Sequence, residues 1–272
     1  MKTPGNDVTF AGAIPEQYER LLGPVLFTPY GKDLADRVAA VVKQGAVLET
    51  ACGTGLVTRL LDERLPESVH IVATDLNEPM LEVARATLRS TKRITWRQAD
   101  ATALPFDRAS FDAVVCQFGM MFMPDKALAV REARRVLKPG GLFAFNVWAG
   151  LSDNPASFLA HETIAAFFPK NPPQFYHTPF GWNDVRELER VMTGNGFGQV
   201  SVQRKSMVGE SKSARDYATG LVRGTPVSVA IAELGGDFDR IVTAVTAGLA
   251  RLGGDSPHRS PMVALVVTGL AA

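Results

Sequence analysis

The stretch Ala46-Val-Leu-Glu-Thr-Ala-Cys-Gly-Thr-Gly55 constrains the fold more than any other part of the chain. Val47, Leu48 and Ala51 suit a strand buried on both faces, and such strands belong to parallel sheets. Gly53 and Gly55 permit backbone angles that residues with a side chain resist. From Leu56 onward the apolar spacing turns helical through Val57, Leu60, Leu61 and Leu65. A strand, a glycine turn and a helix in that order aim the free N–H groups of a helix start at the crevice above the sheet. In an open α/β sheet, ligands bind in that crevice. Glu49 brings a carboxylate to the same place, where it needs a cationic or hydrogen-donating neighbour.

The remaining segments repeat the rhythm. Val69-His-Ile-Val-Ala-Thr-Asp75, Ile94-Thr-Trp-Arg-Gln-Ala-Asp100, Phe111-Asp-Ala-Val-Val-Cys-Gln117 and Leu142-Phe-Ala-Phe-Asn-Val147 read as further strands. Helical spacing separates them: Lys32 to Lys43 ahead of the first strand, the run opened by Pro79, and Lys126 to Lys138, which Pro139-Gly-Gly141 stops. A helix from Pro15 through Leu22 is expected to end at Gly23-Pro24, and residues 1–15 to form an arm. Helices are also expected over Asn183–Asn195, Ala214–Leu221 and Phe238–Leu252, and strands over Val200–Arg204 and Met262–Thr268. The alternation predicts an α/β fold of the Rossmann-like type: a seven-stranded, mostly parallel sheet with an antiparallel edge, helices on both faces and a helical or loop lid.

A turn of this kind serves two ligand classes. Dinucleotides need G-x-G-x-x-G, and here the third glycine is replaced by Thr58. S-adenosylmethionine has no phosphate and carries an amino group and a sulfonium, so an acid ahead of the glycines suits it better. Glu49 with the glycine turn, Asp75, Asp100 and Gln117 all fall at the carboxyl ends of successive strands and face one crevice. A carboxylate ending the second strand can accept both ribose hydroxyls, and one ending the third can accept from the exocyclic amine of adenine. Leu76 and Met80 can pack on the adenine faces.

These segments resemble the motifs of class I S-adenosylmethionine-dependent methyltransferases. Val47 to Gly55 looks like the first motif, Ile71 to Leu81 the second and Gln98 to Phe106 the adenine-contacting one. Phe111–Gln117 and Leu137-Lys-Pro-Gly-Gly-Leu142 look like the two that follow. The pattern is similar to the branch containing the ubiquinone and menaquinone biosynthesis methyltransferases, and it covers residues 10–148. The resemblance implies cofactor contacts from Glu49, Ala51, Gly53, Gly55, Asp75, Leu76, Met80, Asp100, Ala101, Gln117 and Phe118. Tyr18 and Phe27 match lid positions. Glu49 stands where the family often has Asp, one methylene shorter.

Composition narrows the partners. The net charge of +1 gives no global bias toward nucleic acid or anionic membranes. No apolar run reaches the length of a membrane span, and no leader pattern opens the chain, so a cytoplasmic protein is expected. Cys52 and Cys116 read as packing residues, and no metal-ligand spacing occurs. The whole chain is expected to form one methyltransferase domain. Residues 1–31 would form a lid, and the Pro- and Phe-rich segment 149–181 with 208–260 an acceptor-side cap. The Phe residues of 158–176, with Met120 to Met123, suggest a small apolar or aromatic acceptor that attacks the methyl carbon in line with the S–CH3 bond. His177 and His161 are the candidate bases if a proton must leave. The alternatives are a dinucleotide-dependent oxidoreductase, against which Thr58 argues, and a non-catalytic S-adenosylmethionine-binding module or partner subunit.

Overall fold

In the computed structural model, which describes residues 14–88 and 92–272, the strand expected before the glycine turn is β1 (Gly45–Thr50). Ahead of it run α1 (Ile14–Gln17), a π-helical stretch (Tyr18–Phe27) and α2 (Thr28–Val41). After it come α3 (Leu56–Arg64), β2 (Val69–Asp75), α4 (Glu78–Thr87), β3 (Ile94–Gln98), β4 (Phe111–Gln117), α5 (Lys126–Val136) and β5 (Leu137–Trp148). The rest comprises α6 (Pro155–Phe167), α7 (Val185–Gly194), β6 (Phe197–Ser211), α8 (Ala214–Arg223), α9 (Val227–Glu233), α10 (Phe238–Gly253) and β7 (His258–Ala271). Of the arm expected over residues 1–15, residues 1–13 lie outside the described residues, and Ile14 and Pro15 belong to α1 instead.

The sheet has the order β3-β2-β1-β4-β5-β7-β6. β1 pairs in parallel with β2 and β4, and β3 and β5 extend the parallel set outward. The chain therefore leaves β1 toward one edge and returns on its other side, which makes the carboxyl end of β1 the switch point where such sheets hold ligands. β7 runs antiparallel to β5. Phe197, opening β6, lies against Gly269 near the end of β7, and Glu210, near the end of β6, pairs with Arg259 near the start of β7. The last two strands thus oppose one another at the edge, as their late, isolated positions implied.

Several boundaries differ from the sequence reading. Gly23-Pro24 does not end the first helix. Proline has no N–H to give, and the chain widens to a π turn instead, with the Thr28 N–H donating to Gly23 O. The Thr28 hydroxyl donates to the same carbonyl at 3.0 Å. α5 stops at Val136 rather than Lys138, because Lys138 leaves the helix to meet Asp112. Opposite Asp112 the register jumps, Phe111 pairing with Leu137 and Ala113 with Leu142, so residues 138–141 loop out. Asn154-Pro155 reads as a loop in sequence but opens α6, with proline in the first turn where its missing N–H costs nothing. β6 extends well beyond Val200–Arg204, because its half-exposed polar positions conceal the strand from an apolar-run reading.

By its internal contacts the chain divides into two compact units. One comprises Tyr30–Trp148, Trp182–Lys205 and Ala264–Ala272 and contains the parallel strands. Its core includes Val47, Leu48, Ile71, Val114, Val115, Phe143 and Phe145. The other comprises, among the described residues, 14–29, Ala149–Gly181 and Ser206–Val263. Small residues allow its helices to close up: a Cβ on Gly248 would sit 2.7 Å from Leu159, and one on Gly220 2.7 Å from Leu22.

Candidate functional site

The turn after β1 is left-handed at three places: Ala51 (φ 52°), Gly53 (φ 55°) and Gly55 (φ 82°). Glycine tolerates this, whereas Ala51 bears about 1–2 kcal/mol of backbone strain. Cys52 N–H still reaches Thr74 O at 2.9 Å, so pairing with β2 extends into the turn. Gly55 could not carry a side chain: a Cβ would lie 2.7 Å from Leu88, 3.0 Å from Trp96 and 3.2 Å from Ala84. Beside Gly53 the space is open, the nearest atom being the Met80 methyl at 3.8 Å. The turn is thus closed on its packing side and free where a ligand would approach.

Two acids flank it. Glu49 is buried, and the Thr58 hydroxyl donates to its Oε2 at 2.6 Å. Burial without a cation pushes its pKa up to about 8, the Thr58 hydrogen bond pulling back and Asp75 adding to the rise. Thr58, which in sequence counted only as a missing glycine, is the partner of the buried acid. Asp75 is also buried. Its Oδ2 accepts the Gly53 N–H at 2.8 Å and its Oδ1 the Asn77 N–H at 2.8 Å. Burial raises its pKa, against the pull of these donors. Asp75 thereby ties the glycine turn to the end of β2, and the Asn77 side-chain amide also donates to its Oδ1, at 3.3 Å.

The other predicted residues of this unit line the same end of the sheet. Leu76 follows Asp75 and is 61% exposed, whereas Met80 is buried. Ala99 N–H donates to Asp75 O at 3.0 Å, which places Asp100 just beyond the end of β2. Asp100 is exposed, and its Oδ1 accepts the backbone N–H and hydroxyl of Thr102 at 2.8 and 2.7 Å. Ala101 is buried. Gln117, half-buried, lies opposite Asn146 in the β4–β5 ladder.

Phe118 is a second non-glycine in the left-handed region, with φ 49°. Its N–H is shared between Asn146 O at 3.1 Å and Asn146 Oδ1 at 3.0 Å. Its ring stacks on Trp148, with centroids 3.9 Å apart, and the edge of Tyr30 meets both rings. Because Oδ1 takes an N–H, the other end of the Asn146 amide is its NH2, which is buried and has no partner among the described residues. Such a donor needs an oxygen from water or ligand. Sequence reasoning missed Asn146, although one polar residue inside Leu142–Val147 was the available sign.

The remaining predicted residues belong to the other unit. Tyr18 and Phe27 stack on each other, with centroids 4.7 Å apart and planes at 21°. His161 and His177 meet edge to face at 4.8 Å, and Tyr176 lies 6.1 Å from His161. His161 is nearly buried and His177 exposed. Burial lowers the His161 pKa, and the neighbouring His177 lowers it further, against Glu162. The structure thus brings the glycine turn, Glu49, Asp75, Asp100, Gln117 and Phe118 to one end of the sheet, and the two histidines together within the other unit. Among the described residues no cluster of His, Cys, Asp and Glu could hold a metal ion.

Residues 47–141 match a family model described as a methyltransferase domain. A demethylmenaquinone methyltransferase of Lactococcus lactis subsp. lactis is 41% identical over 98 residues, 35% of this chain. That match spans only 39% of the relative's length. One from Staphylococcus aureus (strain JH9) is 35% identical over 207 residues, covering 70% of this chain and 84% of the relative. Among solved structures, a phosphoethanolamine N-methyltransferase 2 of Haemonchus contortus, bound to phosphomonomethylethanolamine and S-adenosylhomocysteine, superposes with a TM-score of 0.60. It shares 16% identity, over 94% of this chain and 56% of that one, and so shows the fold. Fold, motif order and the Staphylococcus relative together make this chain a member of the class I S-adenosylmethionine-dependent methyltransferases, in the branch that resembles the ubiquinone and menaquinone methyltransferases.

Proposed function

We propose that the protein moves the methyl group of S-adenosylmethionine to a small apolar ring compound of the quinone class. The observation that carries the reading is the Gly53–Asp75 link at the switch point, with Asp100 at the end of the next strand. Open space beside Gly53 and exposed Leu76 leave room for an adenosine among these residues. Asp75 would hold the ribose hydroxyls, and Asp100 and Ala101 the adenine edge. Leu76 and Met80 would cover its faces. Glu49, Ala51, Gly55, Gln117 and Phe118 would surround the methionine end. When bound, the cofactor supplies an activated methyl on a cationic sulfur.

The protein's task is then alignment, exclusion of water and removal of a proton. Orientation alone supplies up to about 7–11 kcal/mol in the best intramolecular cases. We assign the acceptor side to the second unit. The chain leaves the sheet at Trp148, the carboxyl end of β5, and this unit carries Phe175, Tyr176 and Phe180 in its core. Tyr18 and Phe27 would serve as the lid. His161, held neutral by burial, would accept the proton that the acceptor loses, with His177 beside it. The relatives' names favour a quinone, and the apolar residues of this unit agree with it. Among the described residues no helix is long and apolar enough to cross a membrane, and we place the enzyme in the cytoplasm.

The test is transfer of label from methyl-labelled S-adenosylmethionine to a short-chain demethylmenaquinone in reduced form. Wild type is expected to label the ring. His161→Gln is expected to lose about 100-fold or more in kcat and the acidic limb of the pH–rate profile, while binding S-adenosylhomocysteine as wild type does. No label in this or any of a panel of apolar ring acceptors would leave a binding module without transfer.

A further inference from the structure

The segment from Asp100 to Phe106, between β3 and β4, is held from outside itself. Within it, Asp100 Oδ1 accepts both donors of Thr102, and Ala103 N–H donates to Asp100 O at 3.0 Å. Two side chains of α5 grip the rest. Glu132 Oε2 accepts the Leu104 N–H at 2.8 Å. Arg135 donates to Leu104 O at 2.8 Å and to Phe106 O at 2.6 Å. The same guanidinium is forked onto both oxygens of Glu132, at 2.7 and 2.8 Å. On the far side, Arg97 donates to Pro105 O at 3.1 Å and lies over the Phe106 ring.

An i,i+3 ion pair on a helix surface ordinarily contributes little. This one is largely shielded, with 28% and 16% of the two side chains exposed, and both partners also bond loop backbone. α5 is a rigid element, so the loop inherits its position from a helix rather than from its own turn residues. Asp100 is connected to the gripped end through the Ala103–Asp100 hydrogen bond. Its Oδ2 accepts no hydrogen bond among the described residues and is the oxygen left to meet a ligand.

We propose that Glu132 and Arg135 are positioning residues for the adenine end of the cofactor, fixing Leu104 and Phe106 so that Asp100 Oδ2 stands where it reads the exocyclic amine. This rests on the cofactor reading above and assigns it two residues that touch neither cofactor nor acceptor. Loss of the grip lets the carboxylate wander, and a hydrogen bond that needs placement is lost before the site as a whole.

The test compares binding of S-adenosylhomocysteine and S-inosylhomocysteine, which carries a carbonyl in place of the amine, to the full chain by calorimetry. Wild type is expected to prefer the adenosine compound by about tenfold or more, the worth of one hydrogen bond to a charged group. Arg135→Met and the isosteric Glu132→Gln are expected to bring that preference below about threefold. Glu132→Gln keeps the test available if Arg135→Met does not fold. Variants that retain the wild-type ratio, whether or not both affinities fall together, overturn the proposal, since a merely structural role weakens both ligands alike. A wild type that binds both equally overturns it at Asp100. A wild type that binds neither overturns the cofactor reading beneath it.

Discussion

Glu49 shows how much one side chain's environment decides. In sequence it is an acid at the end of a strand. In the fold it is sealed beneath the glycine turn, with a neutral hydroxyl as its donor and a second acid nearby. Its folded pKa of about 8 lies above the ordinary 4.5. The stability that the neutral carboxyl contributes is therefore fully present below about pH 4.5 and is lost as pH rises through about 8. Ligand-free wild type is expected to lose roughly 5 °C or more of Tm between about pH 5 and pH 8.5, at about 2–4 °C per kcal/mol. Glu49→Gln is expected to lack this loss and to be the more stable protein at the alkaline end. Thermal melts across that range check this, and a pH-independent gap between the two proteins contradicts it. Glu49 and Asp75 were legible as candidate-site residues because acids ending buried strands stand out. Thr58 and Asn146 were not, because a hydroxyl and an amide show their roles only when their partners are in place. Nor did Ala51 and Phe118 announce their left-handed backbones, since neither residue type favours one.

At the level of elements, apolar runs marked β1, β2, β4 and β5 because strands buried on both faces have little room for polar residues. The edge strand β6 obeys no such rule and was found at a third of its length. The helix–strand junction at Val136–Leu137 escaped for another reason. Asp112 accepts the Ala46 N–H at 2.8 Å and two bonds from Lys138 Nζ at 2.8 and 2.9 Å, so one side chain anchors β1, β4 and the outward loop before β5. A Cβ on Gly45 would lie 2.0 Å from Asp112 Oδ2, which is why a glycine opens the strand. This anchor sits at the amino end of the strands, opposite the candidate site. Asp112→Ala is therefore expected to lower stability by about 1–3 kcal/mol while leaving S-adenosylhomocysteine affinity within about twofold. Denaturant melts and calorimetry on the same preparation check both. A large loss of affinity with stability intact would mean that the two ends of the sheet are coupled.

For the whole molecule, the alternation of strands and helices was enough to reach the architecture, because a parallel sheet needs a crossover between every pair of strands. The segments outside that alternation were harder. Proline and phenylalanine in 149–181 mark a departure from the sheet, but not the helix α6 within it, nor α9 after it. The functional account depends on the sheet unit, where a strand end, a glycine turn and two further strand ends converge. Isothermal titration of S-adenosylhomocysteine into wild type and Asp75→Ala tests that convergence most directly. The account predicts binding to wild type at one site per chain and at least a 100-fold loss in the variant, which forfeits both the ribose contact and the bond that fixes Gly53. Equal affinity in the two proteins, or none in wild type, would contradict it.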